Sequence, residues 1–301
     1  MRISDSMIAS SLVAQMQRAS ARLFRFQEQV ASGLAFTRPS ENPPGAVQAA
    51  SLRGSIAELT RYRTNCDEAR AALALTEGVL AGVYDSLRVA RDAALAMNPS
   101  SDSGNEALAD EVHVLSAKIV AEANFASGGR YLLGGHEVLT TPVVENAAGP
   151  PPYLYQGDRG DMVVRLSRTV TVVTNVDAAE VLNLDGAADP ARDDVLELLG
   201  EVEAALRAGD QKALEAGLEE MDWHLDRVVS LRAQVGTRMQ QVELGKGRLE
   251  GGILTFRNLL SEVQDVDITE AVIGLRSQEI TYQAAAAAAA SIHRASLLDY
   301  F

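Results

Sequence analysis

Apolar residues recur along this chain in steps of three and four. Leu12, Met16, Ala19, Leu23, Phe26 and Val30 trace the first such seam, the heptad pattern of helices lying along one another. The seam stops at Ser32-Gly33, and a polar link, "TRPSENPPGA", follows. There Asn42 is placed to cap a helix and Pro43 to open it, where a missing N–H costs nothing. The second seam is far longer. Leu52, Ile56, Leu59, Tyr62, Cys66, Ala69, Leu73, Thr76, Leu80, Val83, Leu87, Ala90, Ala94 and Met97 keep the same spacing. Some fifty helical residues make a rod of roughly 75 Å.

"NPSSDSG" ends that helix, and Leu108, Val112, Leu115 and Ile119 predict a shorter third one. From Gly128 the character changes, as Gly, Pro, Thr and Val replace Ala and Leu. "MVVRLSRTVTVVTNV" is β-branched and bounded by turn residues, so it predicts one or two strands. Helical spacing returns at Val195, Leu198 and Val202. "AGD" at 208–210 then reads as a glycine stop followed by an aspartate cap. A second very long helix runs through Leu214, Leu218, Met221, Leu225 and Val228 to Val263. "DITE", 267–270, is an acidic capping box, with Asp267 as cap and Glu270 three positions on.

The predicted fold class is mainly α: a long antiparallel helical rod built from both chain termini, with a small β-rich inserted domain. Long helices before and after the insertion need partners of similar length and are each other's candidates. The expected division is 1–42 with 264–301 as terminal coiled-coil assembly segments. Residues 43–127 and 190–263 would form the helical rod domain, and 128–189 the β-rich outer domain.

The end of the chain, "ITYQAAAAAAASIHRASLLDYF", has thirteen uncharged residues from Ile280 to Ile292. A surface helix needs a polar face, and this one has none to offer water there. Other subunits are expected to cover it, because alanine favours helix and lets axes approach to about 8 Å. The expected assembly surface therefore comprises Leu12, Leu23, Phe26 and Val30 near one end. Leu275, Ile280, Tyr282, Ile292, Leu297 and Leu298 form it near the other.

Charge supports that reading. Of the formal −14, residues 71–229 carry −16, from eleven basic and twenty-seven acidic side chains. Residues 1–70 carry +3 and 230–301 carry −1, so copies can meet at their ends without repulsion. The acidic balance argues against nucleic acid as a partner. No run reaches the length of a membrane span, and the first twenty residues lack the apolar run of a signal peptide. Cytosolic residence or export without a cleaved signal is expected. With one cysteine, Cys66, no internal disulfide forms.

Catalytic constellations are not apparent. His113, His136, His224 and His293 lie in separate segments, without metal-ligand spacing. His224 beside Trp223 reads as packing, and Cys66 as a small buried side chain in the seam. "GGRYLLGG" lacks the Lys-Ser/Thr of a phosphate loop. No enzymatic activity, cofactor or metal is expected.

Four segments carry a family resemblance. "QVASGLAFTRPSENPPGAV" resembles the N-terminal signature of bacterial flagellar axial proteins, and "DVDITEAVIGLRSQEITYQAAAAAAASIHRASLLDYF" their C-terminal signature. Both are shared with flagellins. "GRYLLGGHEVLTTPV" and "YQGDRGD" are similar to segments of the hook–filament junction family, hook-associated protein 3, within the flagellin superfamily. The signature positions are Asn42, Pro43, Gly45, Tyr131, Gly134, Gly135, Tyr155, Gly157 and Asp158. The resemblance implies a structural subunit joining hook to filament, secreted through the flagellar type III export apparatus. Its implied partners are other copies in a ring, a first hook-associated junction protein, flagellin, and an export chaperone on the C-terminal segment. It further implies terminal helices that are disordered before assembly. A flagellin, or a secreted helical effector, would be the alternatives.

Overall fold

The computed structural model describes residues 5–146 and 151–298. Among them are α1 (Asp5–Ser32), α2 (Pro43–Leu95), α3 (Asp102–Ala123), α4 (Ala178–Leu182), α5 (Val195–Ala208), α6 (Gln211–Gln264) and α7 (Ile268–Leu298). Six short strands lie between α3 and α4: β1 (Ala126–Ser127), β2 (Arg130–Tyr131), β3 (Val143–Glu145), β4 (Tyr153–Tyr155), β5 (Val163–Arg165) and β6 (Thr171–Val173). The chain divides into two compact units. The first comprises 1–58 and 252–301, the second 59–251.

In the second unit, α2 and α6 lie antiparallel. Asp67 pairs with Lys246 at 2.8 Å, Arg70 with Glu243 at 3.4 Å, Glu77 with Arg232 at 2.6 Å and Arg91 with Asp222 at 2.5 Å. From Asp67 to Arg91 the α2 number rises by 24, while the partner number falls by 24, from 246 to 222. These pairs are partly solvated, and such pairs are worth about 0–1 kcal/mol each. They record the register more than they hold it. The holding is apolar: Leu73, Leu80 and Leu87 of α2 and Met221 and Leu231 of α6 are fully buried, at roughly 1.5–3 kcal/mol per side chain.

The α2 seam is a core stripe from Tyr62 to Ala94, with Cys66 inside it. Thr76 and Ser86 are buried in the same helix without penalty, their hydroxyls donating to Ala72 O and Gly82 O one turn back. α3 packs on α5, with Arg207 reaching Asp110 at 2.8 Å. Helix ends follow local chemistry. Asp194 caps α5 by accepting from Glu197 N at 2.7 Å. Gly209 stops α5 in the left-handed region (φ 66), and Asp210 accepts from Lys212 N and Ala213 N as α6 opens.

The strands form three separate antiparallel ribbons, β1–β2, β3–β4 and β5–β6. The expected β-branched stretch supplies the last, pairing Val163 with Val173 and Arg165 with Thr171. After it the chain turns back into helix at α4 and a short 3-10 turn, Leu184–Gly186, held by one buried side chain. Asn183, left-handed at φ 55, donates through Nδ2 to the carbonyls of Asp189, Arg192 and Asp193 and accepts from Ala188 N and Asp189 N. One amide thus satisfies a whole loop that would otherwise bury open backbone groups.

In the first unit, the chain just after α1 and just before α7 is stitched by main-chain bonds. Ala35 N donates to Gln264 O at 2.7 Å and Val266 N to Gly33 O at 3.0 Å, around a Leu34–Asp265 bridge. Further along, Phe26 lies against Gly274. Numbers fall on α1 as they rise on α7, so this helix pair too is antiparallel.

Candidate functional site

Two regions gather the residues singled out in the sequence. The first is the α1–α7 pair. Leu23, Phe26 and Val30 are half-buried along α1, as are Leu275 and Tyr282 on α7. Ile280 is 67% exposed. Leu12, Ile292, Leu297 and Leu298 lie on these helices, with side chains outside the described residues. The heptad seam missed other apolar groups here. Val13, Phe24 and Ile273 stand more than half exposed, Phe24 at 65%. Val13 and Phe24 are eleven residues apart, three helical turns, so an off-seam stripe with that period was the signal to look for. Gly274 permits a close approach of the pair: a Cβ there would stand 2.6 Å from the Phe26 ring. Beside that contact a cavity of about 390 Å³ is lined by Arg22, Arg25, Phe26, Gln29, Val266, Glu270 and Ala271.

The link after α1 is ordered by its polar residues. Thr37 Oγ1 donates to Glu28 Oε1 at 2.7 Å, and the Glu41 carboxylate accepts from Thr37 N at 3.1 Å. Asn42 Oδ1 accepts from Gly45 N at 3.1 Å, and Pro43 is the first residue of α2. Gly45 must lack a side chain, since a Cβ would meet the Asn42 amide.

The second region joins the two segments that resemble the junction family. Tyr155 sends its hydroxyl to Asp158 O at 2.7 Å, with Leu133 O at 3.2 Å. Burial first, then Asp177 and Asp158, push the Tyr155 hydroxyl up, so it stays a protonated donor. Asp158 N donates to Gly134 O at 3.2 Å. The Asp158 carboxylate accepts from His136 N and pairs with His136 Nδ1 at 3.0 Å. Burial works to raise this carboxyl, but those bonds from His136, with one from Gly160 N, outweigh it and hold it low. Gly135 has φ 67, and a Cβ there would overlap Asp158; one on Gly157 would overlap Tyr155. Tyr131 Oη accepts from Thr141 Oγ1 at 3.1 Å. Residues 131–136 and 155–160 are therefore one interlocked structure.

The remaining chemistry-bearing groups are also accounted for by packing. His224 is fully buried, with Nε2 on Asp193 O at 3.1 Å and its ring edge-on to Trp223. Burial, with Asp67 beside it, pushes the Cys66 thiol up, away from a thiolate. A cavity of about 720 Å³ opens between α5 and α6 beside exposed alanines and the carboxylates of Glu201, Asp210, Glu219 and Glu220. Among the described residues, no cluster of three or more His, Cys, Asp or Glu could hold a metal ion. No described helix is long and apolar enough to cross a membrane.

Residues 3–137 match the bacterial flagellin N-terminal helical region. Over nearly its whole length the chain is similar to flagellar hook-associated protein 3. It is 25% identical to that protein of Salmonella typhimurium over 308 residues, covering 94% of each chain. It is 24% identical to the Escherichia coli one, again covering 94% of each. Among solved structures, Bacillus cereus FlgL superposes with a TM-score of 0.59 at 25% identity, over 70% of this chain and 99% of that one. A putative flagellar hook-associated protein from Vibrio parahaemolyticus shares the fold, with a TM-score of 0.68 at 21% identity, over 75% and 100%.

Proposed function

We propose that this chain is a structural subunit of the bacterial flagellum that joins hook to filament and gives flagellin a base on which to polymerise. The similarity to hook-associated protein 3 over 94% of both chains carries this reading. A flagellin is the weaker alternative, because the similarity that spans 94% of both chains is to hook-associated protein 3 and the segments "GRYLLGGHEVLTTPV" and "YQGDRGD" resemble the junction family. The subunit acts by packing, without catalysis or a cofactor. It is secreted through the flagellar export apparatus and forms a ring with its own copies. The first hook-associated junction protein lies on one side and flagellin on the other, and an export chaperone covers the C-terminal segment before assembly. Segments 1–42 and 264–301 are the assembly segments, through residues including Leu23, Phe26, Val30, Leu275, Ile280 and Tyr282.

A strain lacking the gene should keep its hooks and shed unpolymerised flagellin. The full chain should restore filaments, and a chain lacking residues 280–301 should be secreted without restoring them. Normal filaments in the deletion strain would end the junction reading.

A further inference from the structure

Four helices of the first unit are joined through one buried side chain. Gln264 is the last residue of α6 and is only 5% exposed. Its side-chain Oε1 accepts from Arg53 Nη2 of α2 at 2.6 Å, across 211 residues of sequence. Its main-chain carbonyl accepts from Ala35 N at 2.7 Å. Ala35 is tied in turn to α1, because its own carbonyl accepts from Gln29 Nε2 at 2.7 Å. Just beyond Gln264, Val266 N donates to Gly33 O at 3.0 Å and the chain enters α7. All of these residues lie within 1–58 and 252–301.

Packing alone does not call for a glutamine here. Burying one costs rotamer freedom and obliges its amide to find partners, whereas leucine would fill similar space without that obligation. The residue type makes sense where a bond of fixed direction is needed. Apolar burial is non-directional, but a hydrogen bond weakens steeply as its angle closes. Arg53 suits the other end of the bond. The last carbonyls of α6 lack partners within the helix and form the negative end of its dipole. Ala35 N satisfies one of them, and the Arg53 guanidinium reaches the same residue. Among the described residues that guanidinium pairs with this neutral amide and with no carboxylate.

Little else fixes the angle. The apolar groups buried in the link after α1 and in the nearest turns of α2 and α7 are Phe36, Ala49 and Ala271, two of them alanines. The main-chain bonds of Ala35 and Val266 exchange readily for bonds to water if the joint opens.

Resting on the junction reading above, we propose that Gln264 and Arg53 are positioning residues. Their bond sets the direction in which the α1–α7 pair leaves the adjoining ends of α2 and α6, and so presents the assembly segments to a neighbouring copy. Without it the pair swings about the links 33–42 and 265–267 while staying paired. Losing one charge-assisted bond lowers the ratio of closed to open joint by roughly tenfold or more.

The test uses spin labels in the purified full chain, with the fully buried Cys66 removed as Cys66→Ala. Labels at exposed Gln27 of α1 and Asn258 of α6 read the joint, and labels at Gln27 and Ile273 read the α1–α7 pair. The first distance should be narrowly distributed in the parent chain and broaden in Gln264→Leu and in Arg53→Leu. The second should not change. Gln264→Glu keeps the acceptor opposite Arg53 and should keep the first distance narrow. A broad first distance in the parent, no broadening in the leucine variants, or a broad one in Gln264→Glu overturns the proposal. Equal broadening of both distances overturns it too, since the bond would then hold the pair together and not aim it. In the deletion strain, the leucine variants should be secreted yet support few or no filaments, and Gln264→Glu should support them normally. Normal filaments from the leucine variants, or none from Gln264→Glu, would overturn the role in assembly. The distances do not depend on export, so they decide the matter for any variant that is not secreted. If the deletion strain itself makes normal filaments, the junction reading fails; if filaments need the chain but not this bond, only this inference fails.

Discussion

At the residue scale, His224 is the group whose titration the fold opposes most clearly. Burial first, and Arg192 among its neighbours, depress its pKa from 6.5 to about 4, against the opposing pull of Glu220 and Asp193. Its Nδ1 is buried without a hydrogen-bond partner, so the neutral ring fits and the imidazolium does not. A folded pKa below the unfolded one means that the unfolded chain takes up the proton first. The stability is therefore complete above pH 6.5 and is lost as pH falls towards 4, by about 3 kcal/mol in the limit. Urea midpoints measured from pH 7.5 to 4.5 should fall, and the fall should shrink in His224→Gln, whose amide can still donate to Asp193 O. Asp177 and Asp194 act the other way, since burial raises both carboxyls; the difference between wild type and variant isolates the histidine. An unchanged acid slope in the variant would place the pH response elsewhere. The packing role of His224 was legible from its place beside Trp223 on a seam helix. Asn183 was not, because its five bonds join parts of a loop that no periodicity describes.

Among the elements, the long helices were legible because their apolar stripes are regular and their ends are marked. Leu73, Leu80 and Leu87 fall where the steps of three and four put them, and Gly209, Asp210 and Asp267 cap as their residue types imply. Strands of two or three residues are too short for alternation to show. β3 is tied to the end of α3 by the Asn124 amide, which bonds both main-chain groups of Val143, a contact local in space but nineteen residues apart in sequence. The pairing of α1 with α7 was legible in the seam that holds Phe26 and in the expected partnership of the two chain ends, but the seam did not show that Phe26 meets α7 where Gly274 lacks a side chain. Gly274→Val should drive the Phe26 ring off α7, an overpacking cost of roughly 1–3 kcal/mol. The expected outcome is faster proteolysis within residues 1–58 while the melting of the second unit is unchanged. Equal resistance of variant and wild type to protease would show that Phe26 does not hold the pair.

At the scale of the whole molecule, stability and assembly are expected to be divided between the two units. The contiguous apolar core, from Tyr62 to Leu249, lies wholly within the second unit. In the first, the buried apolar groups among the described residues are Ala19, Phe36, Ala49, Ile253 and Ala271, three of them alanines, whereas Phe24, Val47, Ile273 and Ile280 stand exposed. Burial of this small extent offsets little of the ordering entropy of long helices. In dilute solution the amides of α1 and α7 should therefore exchange with solvent orders of magnitude faster than those of α2 and α6 near Leu80 and Leu231. On assembly, protection at α1 and α7 should rise, because neighbouring copies would supply the burial that the isolated chain does not. Strong protection of α1 and α7 in the free chain would mean that these helices are already satisfied alone. The exposed apolar flanks would then be surface, not interface, and the ring would have to be held by contacts of the second unit.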